Sequence, residues 1–463
     1  MKHKKSFLFT SFLVLIISFA QAWANEIHTE RYSDRVLIVH SGKIYFDQVI
    51  CLASSKGLIM IDTGIAPSRT TEYRKIIEQE FGRNDFIYVI NTHFHFDHTN
   101  GNQVFKDAII IGHESTPDRM RQFEAGRQNF VEMRKTRVIQ LENQLGSFDP
   151  ASEQAQRFRD LIANSRIMID DLENNYVLTP PSMTLNDRMT LNLGDLTLKL
   201  IYFGEGLHTG DDIIIHCPEE KLLFTGDLFY KGSMQIAYSP QFDAPRWIEV
   251  LNEVLKNKDE VEFVFDTHNG RMPGEFLILW RDYLVDIWQN LNAAKDEGLE
   301  FAAVQDQFSY DNKFSYLARS GLDVELLKRN HQNNLRFVWY KISDTQSAAQ
   351  TLRQIMLDSG IKAAVDKYQA IKSTPSDKVY FDEAEFNRLG YQLLGENKVK
   401  EAIEIFKMNV EMYPESWNVY DSLGEGYMND GQKELAIKYY KKSLELNPGN
   451  ENGKAMLRKL LEK

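Results

Sequence analysis

The stretch Asn91-Thr-His-Phe-His-Phe-Asp-His-Thr-Asn100 constrains this chain more than any other. It sets three histidines and an aspartate within six positions, directly after the apolar run Phe86–Ile90. Such a run reads as a buried strand. A strand that ends in imidazoles and a carboxylate is a scaffold for a metal ion, because these groups are the usual nitrogen and oxygen ligands of zinc. The chain holds only eleven histidines, so three in six positions mark a site rather than an incidentally polar loop. Alternate residues of an extended segment face one side, which predicts that His93, His95 and Asp97 point together. A turn at Asp97-His98 would then aim His98 at a second centre.

The pattern of apolar strand followed by a loop with histidine or aspartate recurs along the chain. Short strands at 36–39, 49–53 and 58–61 close at Asp62-Thr-Gly64. A helix is expected from Ser68, as N-cap, to Phe81, with Gly82 as its stop. The strand at 196–203 leads to His208, the hairpin of 213–217 and 222–225 to Asp227, and the strand at 261–265 to His268. Seven ligand-type residues, His93, His95, Asp97, His98, His208, Asp227 and His268, therefore follow strands. One zinc takes about four ligands, so the set suits two ions with a bridging carboxylate. His113 and His216 sit at strand edges and read as structural.

This series resembles the metallo-β-lactamase-fold hydrolases, with Asp62 in the first motif, His93-x-His95-x-Asp97-His98 in the second, then His208, Asp227 and His268. The resemblance covers about residues 33–270. It implies an αββα sandwich, with a binuclear site at one edge. By that resemblance His93, His95 and His208 hold one zinc, Asp97, His98 and His268 hold the other, and Asp227 bridges them. Iron or manganese stay open as alternatives to zinc. Asp62 is then a buried support for the ligand loop. The implied chemistry is hydrolysis by a metal-bound hydroxide, the metals bringing the pKa of water from ~15.7 to ~7. Asp97 would orient the nucleophile and move a proton. Tyr230, three residues after Asp227, matches a tyrosine that assists the carbonyl oxygen in the lactonase branch. Family β-lactamases place cysteine or serine where this chain has Asp227, which points instead to the glyoxalase II, lactonase and broad-hydrolase branches.

Residues 117–175 read as a helical hairpin inserted into a catalytic domain of 25–275, and helices at 275–297, 300–306 and 322–340 as a helical extension of 276–345. The first helix of the hairpin carries Arg119, Arg121, Arg127, Arg134, Lys135 and Arg137 and is expected to be a solvated face, the alternative being a lid that bears an anion-binding patch. Beyond 346 the sequence repeats. Leu389-Gly390 recurs as Leu423-Gly424, Ala402 as Ala436, Phe406 as Tyr440 and Pro414 as Pro448, each pair 34 residues apart. That period resembles the tetratricopeptide repeat, an α-solenoid unit whose helix pairs stack to bury their apolar faces. Ala364 and Tyr368 suggest a looser preceding unit. The fold class expected is α/β (α+β), a sandwich followed by helices and repeats.

Lys2, Lys4 and Lys5, the apolar stretch 7–20 and Ala22-Trp-Ala24 match a signal peptide cleaved after Ala24. Export to the periplasm or medium is the expectation. The formal charge of −12 disfavours nucleic acid as a partner. Cys51 and Cys217 are no disulfide framework. The expected protein is an exported zinc hydrolase of a small-molecule ester, lactone, thioester or amide, without stable membrane insertion. A β-lactamase is one alternative. Another is a partner-binding protein that works through its repeats, with a vestigial metal site.

Overall fold

The computed structural model describes residues 27–41, 48–145, 148, 150–229, 234, 236, 242–268, 270–374, 378–396 and 398–461. The signal-peptide expectation at 1–24 lies outside them. Aliphatic and β-branched runs form two sheets. The first orders β1 (Ile27–Arg31), β2 (Val36–Ser41), β3 (Gln48–Ser54), β4 (Gly57–Ile61), β5 (Phe86–Ile90), β6 (Ile109–His113) and β7 (Met183–Leu185) in sequence. Its first four strands are antiparallel, and β4 to β7 are parallel. The second sheet contains β8 (Arg188–Asn192), β9 (Thr197–Tyr202), β10 (Ile213–Cys217), β11 (Leu222–Phe224), β12 (Phe263–Asp266) and β13 (Gly270–Pro273). Here β11 and β12 are the parallel pair, with Phe224 opposite Phe265.

Parallel pairing is what gathers the site. Ile61 pairs with Ile90 and Ile90 with Ile111, so β4, β5 and β6 end together. The ends of β11 and β12 do the same for Asp227 and His268. Ile213 N–H donates to Thr92 O at 2.7 Å and ties the two sheets together beside the ligand loop.

Alternate residues divide between two cores. Ile38, Ile50, Leu52, Ile59, Ile61 and Ile90 pack with Leu198, Leu200, Ile213, Ile215, Phe224 and Phe265. Leu37, Val39, Val49, Met60 and Val89 pack instead with Tyr73 and Ile77 of α1 (Pro67–Phe81). With both faces covered, these strands read as continuous apolar runs rather than alternating ones. Each fully buried aliphatic side chain contributes about 1.5–3 kcal/mol. Cys51 belongs to one core and Cys217 to the other, and both are free, buried thiols.

The start of α1 corrects the sequence expectation. Ser68 is not the cap; Ala66 is, Pro67 takes the first turn, and no side chain caps from within the segment. The carboxylate of Asp171 does that work from a distant helix, accepting from Ser68 N–H at 2.7 Å. Proline suits this position, since its missing N–H would be unpaired there anyway. Gly82 ends the helix in the left-handed region, as expected. After the short helix α2 (Phe96–Thr99), the hairpin consists of α3 (Thr116–Leu145) and α4 (Glu153–Asn174).

Two compact units emerge, and the division runs through that hairpin. One comprises described residues up to Arg127 and from Arg159 to Val338; the other has 128–158 and 339 onward. The first unit includes α5 (Ala244–Leu255), α6 (Phe276–Asp296), α7 (Phe301–Gln307) and most of α8 (Val324–Ile342). Phe276, Leu279, Tyr283 and Ile287 form the buried stripe of α6. Asn334 of α8 is buried and holds the chain after Asp227. Its Nδ2 donates to Met234 O at 2.8 Å, and its Oδ1 accepts from Ile236 N–H at 3.0 Å.

The second unit holds α9 (Ala348–Ser373), broken at Gly360, then the pairs α10 (Glu383–Gly395) with α11 (Val399–Met412) and α12 (Trp417–Asn429) with α13 (Lys433–Leu446), closed by α14 (Glu451–Leu461). Ala364 and Tyr368 join the same core as Ala402, Phe406, Ala436 and Tyr440. The repeated glycines let helices approach closely: a Cβ at Gly390 would lie 2.3 Å from the Phe406 ring, and one at Gly424 3.2 Å from Tyr440. A cavity of about 920 Å3 is lined by Tyr391, Trp417, Asn418 and Glu425 of the repeats, with Met133 and Arg137 of α3.

Candidate metal centre

The ligand loop is built on Asp62. This residue is fully buried and holds a left-handed backbone, φ 55°, unusual for a non-glycine residue. Its Oδ1 accepts from Thr92 N–H, and its Oδ2 accepts from Thr92 Oγ1 and lies against His98 Nδ1, each at 2.8 Å. Those bonds fix tautomers. His98 Nδ1 must carry the proton it gives to Asp62, which leaves the Nε2 lone pair free to bind. The Thr92 hydroxyl proton goes to Asp62, so His93 Nδ1, 3.1 Å from that hydroxyl, donates to it and turns an unprotonated Nε2 inward. Outer hydrogen bonds of this kind orient ligating histidines.

An amide network holds the loop from behind. Asn91 and Asn102 exchange side-chain hydrogen bonds at 3.0 and 2.8 Å, and Thr63 Oγ1 donates to Asn102 Oδ1 at 2.9 Å. Thr63 N–H also donates to His98 O at 2.9 Å. Gly101 has no room for a side chain, since a Cβ would stand 2.2 Å from Thr63 O and from Thr70 Oγ1.

The seven candidate ligands gather in two groups, within each of which all ligand atoms lie within 4.8 Å of one another. The first is His93, His95, His208 and Asp227, and the second is Asp97, His98 and His268. In the first, His95 Nδ1 is 3.0 Å from His93 Nε2 and 3.3 Å from His208 Nε2. In the second, Asp97 Oδ2 is 3.5 Å from His268 Nε2 and 3.8 Å from His98 Nε2. Asp227 stands between them. Its Oδ2 is 3.6 Å from His208 Nε2 and 3.9 Å from His93 Nε2, while its Oδ1 is 3.3 Å from His268 Nε2 and 3.5 Å from His98 Nε2.

One expectation about the route is corrected. Asp97 does not reach the site by extended alternation, because Phe96–Thr99 is a helical turn and Asp97 lies in it. The turn presents Asp97 and His98 to the second group while His93 and His95 serve the first.

The two groups differ electrostatically. Burial lowers the pKa of His93 far below its ordinary value and that of His95 to about 4, and neighbouring imidazoles add to the effect. Burial also opposes charge on His98 and His268, but there carboxylates outweigh it. Asp227, Asp62 and Asp97 hold His98 well up, and Asp227 and Asp97 bring His268 to about 9. Asp227 in turn is held low, against its burial, by His268 and His98. Neutral imidazoles in the first group, and in the second carboxylates whose attraction for imidazole protons a divalent cation would take over, form a donor set that fits such an ion.

Several supports escaped the sequence reading. Asp211 is fully buried and accepts from Thr116 Oγ1 and Thr209 Oγ1, both at 2.7 Å. Asp212 Oδ2 accepts the N–H groups of Thr209 and Gly210 at 2.8 and 3.0 Å, shaping the turn after His208. Burial, with Asp212 beside it, pushes Asp211 up to about 6. The acidic pair in a Thr-Gly turn beside a ligand was the available signal. Gln48 Nε2 donates to Asp266 O at 3.1 Å and steadies the His268 loop, with no signal in sequence. Tyr230 lies outside the described residues. His113 stacks on Tyr202 with 3.8 Å between ring centroids, and His216 lies 3.9 Å from Glu260; neither joins the two groups.

Residues 48–268 match the family model for the metallo-beta-lactamase superfamily, and residues 417–450 match the tetratricopeptide repeat model. The human and bovine acyl-coenzyme A thioesterases MBLAC2 are each 24% identical over 228 residues, 47% of this chain and 71% of theirs. The stereoselective inverting sec-alkylsulfatase Pisa1 from Pseudomonas sp. has a similar structure, with a TM-score of 0.51 and 14% identity. That match covers 93% of this chain but 64% of the sulfatase, so the chain spans less than two thirds of its length. At this identity the likeness is one of fold. Among the described residues no helix is long and apolar enough to cross a membrane.

Proposed function

We propose that this chain, whose residues 48–268 form a metallo-beta-lactamase superfamily domain, is an exported hydrolase that uses two zinc ions to cleave a small-molecule thioester or ester. The observation that carries the proposal is Asp227, which turns one carboxylate oxygen to each ligand group. His93, His95 and His208 would hold one ion and Asp97, His98 and His268 the other. Bound there, such ions lower the pKa of water toward ~7 and polarise a carbonyl oxygen. The protein's part is to fix the ligands' tautomers through Asp62 and Thr92 and to keep the site walled by buried side chains. With Asp97 Oδ2 turned toward His98 and His268 as the ligand atom, the other oxygen of Asp97 would orient the attacking water and take up its proton. The name of the human relative, an acyl-coenzyme A thioesterase, supports the thioester within the wider class. Export rests on the N-terminal sequence. The cavity beside Trp417 and Tyr391 offers the repeats a surface for a protein or peptide partner.

Metal analysis of the purified chain and one hydrolysis panel of thioesters, lactones, β-lactams and phosphodiesters test the proposal. Two equivalents of zinc and thioester or ester turnover that chelation abolishes are expected. No bound metal and no activity after zinc addition would refute it.

A further inference from the structure

The first two turns of α3 present one face to the ligand loops. Thr116, Arg119 and Phe123 share it by helical spacing. Thr116 bonds Asp211 in the turn after His208. Phe123 stacks on Phe96, with ring centroids 5.9 Å apart and planes 18° from parallel. Arg119 lies between them, its guanidinium carbon 5.7 Å from the centre of the Phe94 ring. Phe94 is half-buried and packs edge-on against His95, a candidate ligand, at 4.8 Å between centroids.

The guanidinium is committed only at one nitrogen. Arg119 Nε donates to Ser115 Oγ at 3.4 Å and lies 3.9 Å from Asp211 Oδ1. Among the described residues neither Nη has a hydrogen-bond partner, and a quarter of the side chain is exposed. The oxygens of Asp211 already accept from Thr116 and Thr209, so that carboxylate steadies the guanidinium without closing its fork. A planar cation with two open nitrogens suits a carboxylate or phosphate, which it can grip through paired hydrogen bonds. The aromatic ring of Phe94 beside it suits an apolar group.

We infer that Arg119 and Phe94 form a substrate-selecting wall beside the metal centre, which favours thioesters or esters that carry an anionic group over neutral ones with the same acyl chain. The inference rests on the hydrolase reading and narrows its substrate class. Arg119 acts in binding and has no part in bond cleavage.

The test uses the zinc-loaded full chain and three thioesters of one acyl group. One carries coenzyme A, one thioglycolate, and one neutral N-acetylcysteamine. In the Arg119→Gln variant the ratio of kcat/KM for an anionic thioester to that for the neutral one should fall roughly tenfold or more, the weight of a charged hydrogen-bonded contact. Arg119→Lys should keep part of that ratio, because it keeps the charge and loses the fork. A fall confined to the coenzyme A thioester identifies phosphate as the group held, and a fall confined to the thioglycolate thioester identifies carboxylate. An unchanged ratio with both anions overturns the inference. Were no thioester turned over by the unaltered chain, the thioester part of the hydrolase reading would fail by itself. Calorimetric binding of coenzyme A and of thioglycolate to the unaltered chain and to Arg119→Gln would then decide. Weaker binding of either to the variant sustains the anion site, and equal binding of both removes it.

Discussion

Replacing Asp62 by asparagine should weaken both ligand groups while leaving the fold standing. The carboxylate accepts three hydrogen bonds, one at Oδ1 from Thr92 N–H and two at Oδ2, from Thr92 Oγ1 and His98 Nδ1. An asparagine of the same shape must keep its oxygen at the first position, or two donors would face each other. Its NH2 then sits where Oδ2 was and donates to both remaining partners. His98 Nδ1 becomes an acceptor, so the ring proton moves to Nε2, the atom that faces Asp227 Oδ1 at 3.5 Å and Asp97 Oδ2 at 3.8 Å. A protonated nitrogen cannot ligate a metal. Loss of such an orienting partner costs about 10–100-fold in metal affinity, or roughly 1.4–2.7 kcal/mol. The Thr92 hydroxyl, now accepting from the amide, turns its own proton to His93 Nδ1, so His93 Nε2 is protonated as well. A zinc competition titration should show both ions weakened by about that factor, with the far-ultraviolet spectrum unchanged. Two ions bound with parental affinity in Asp62→Asn would refute the tautomer argument. A variant that has lost its secondary structure would show that Asp62 serves the fold first.

Two further perturbations follow from packing and burial. Gly390→Ala should destabilise the repeats more than Gly424→Ala, by about 1–3 kcal/mol for overpacking, because the added carbon meets Phe406 at 2.3 Å in one case and Tyr440 at 3.2 Å in the other. The transition of the helical unit in scanning calorimetry reads the difference, and equal shifts would contradict it. His331 is buried with Tyr283 OH at 3.0 Å and Phe308 O at 2.8 Å, and burial holds its pKa at about 4, below the ordinary 6.5. The unfolded chain binds that proton first as pH falls. Stability should therefore drop between pH 6.5 and about 4, by on the order of 2–3 kcal/mol from this residue. Urea midpoints of the parent and His331→Gln should converge as pH falls through that window, and parallel curves would refute the assignment.

Much of the fold could be read from pattern. The apolar runs before Asp62, Asn91, Asp227 and His268 are strands because they are buried on both faces, and the 34-residue period is visible because each helix pair needs the same small and aromatic positions to stack. The start of α1 is not legible locally, because Ala66 caps it without a side-chain bond and the acceptor for Ser68 N–H is Asp171, about a hundred residues away. Gln48 was invisible for the same reason, since its partner is the backbone of Asp266. Asp211 and Asp212 were on view beside His208, yet their work, bonding Thr116 and the Thr209 turn, appears only when α3 is in place.

The sequence by itself determined the chemistry available: five imidazoles and two carboxylates, each placed after a strand, because strand ends are rigid and the residues there are polar for a reason. Only the tertiary structure decided how that set divides. The helical turn at Phe96–Thr99 sends Asp97 and His98 away from His93 and His95, and the parallel pairing of β11 with β12 carries Asp227 between them. Hydrogen-bond register across strands far apart in the chain decides which lone pairs converge, and no spacing along the chain encodes that. The open fork of Arg119 belongs to the same class of fact. It follows from what α3 packs against, and not from any motif in which the arginine sits.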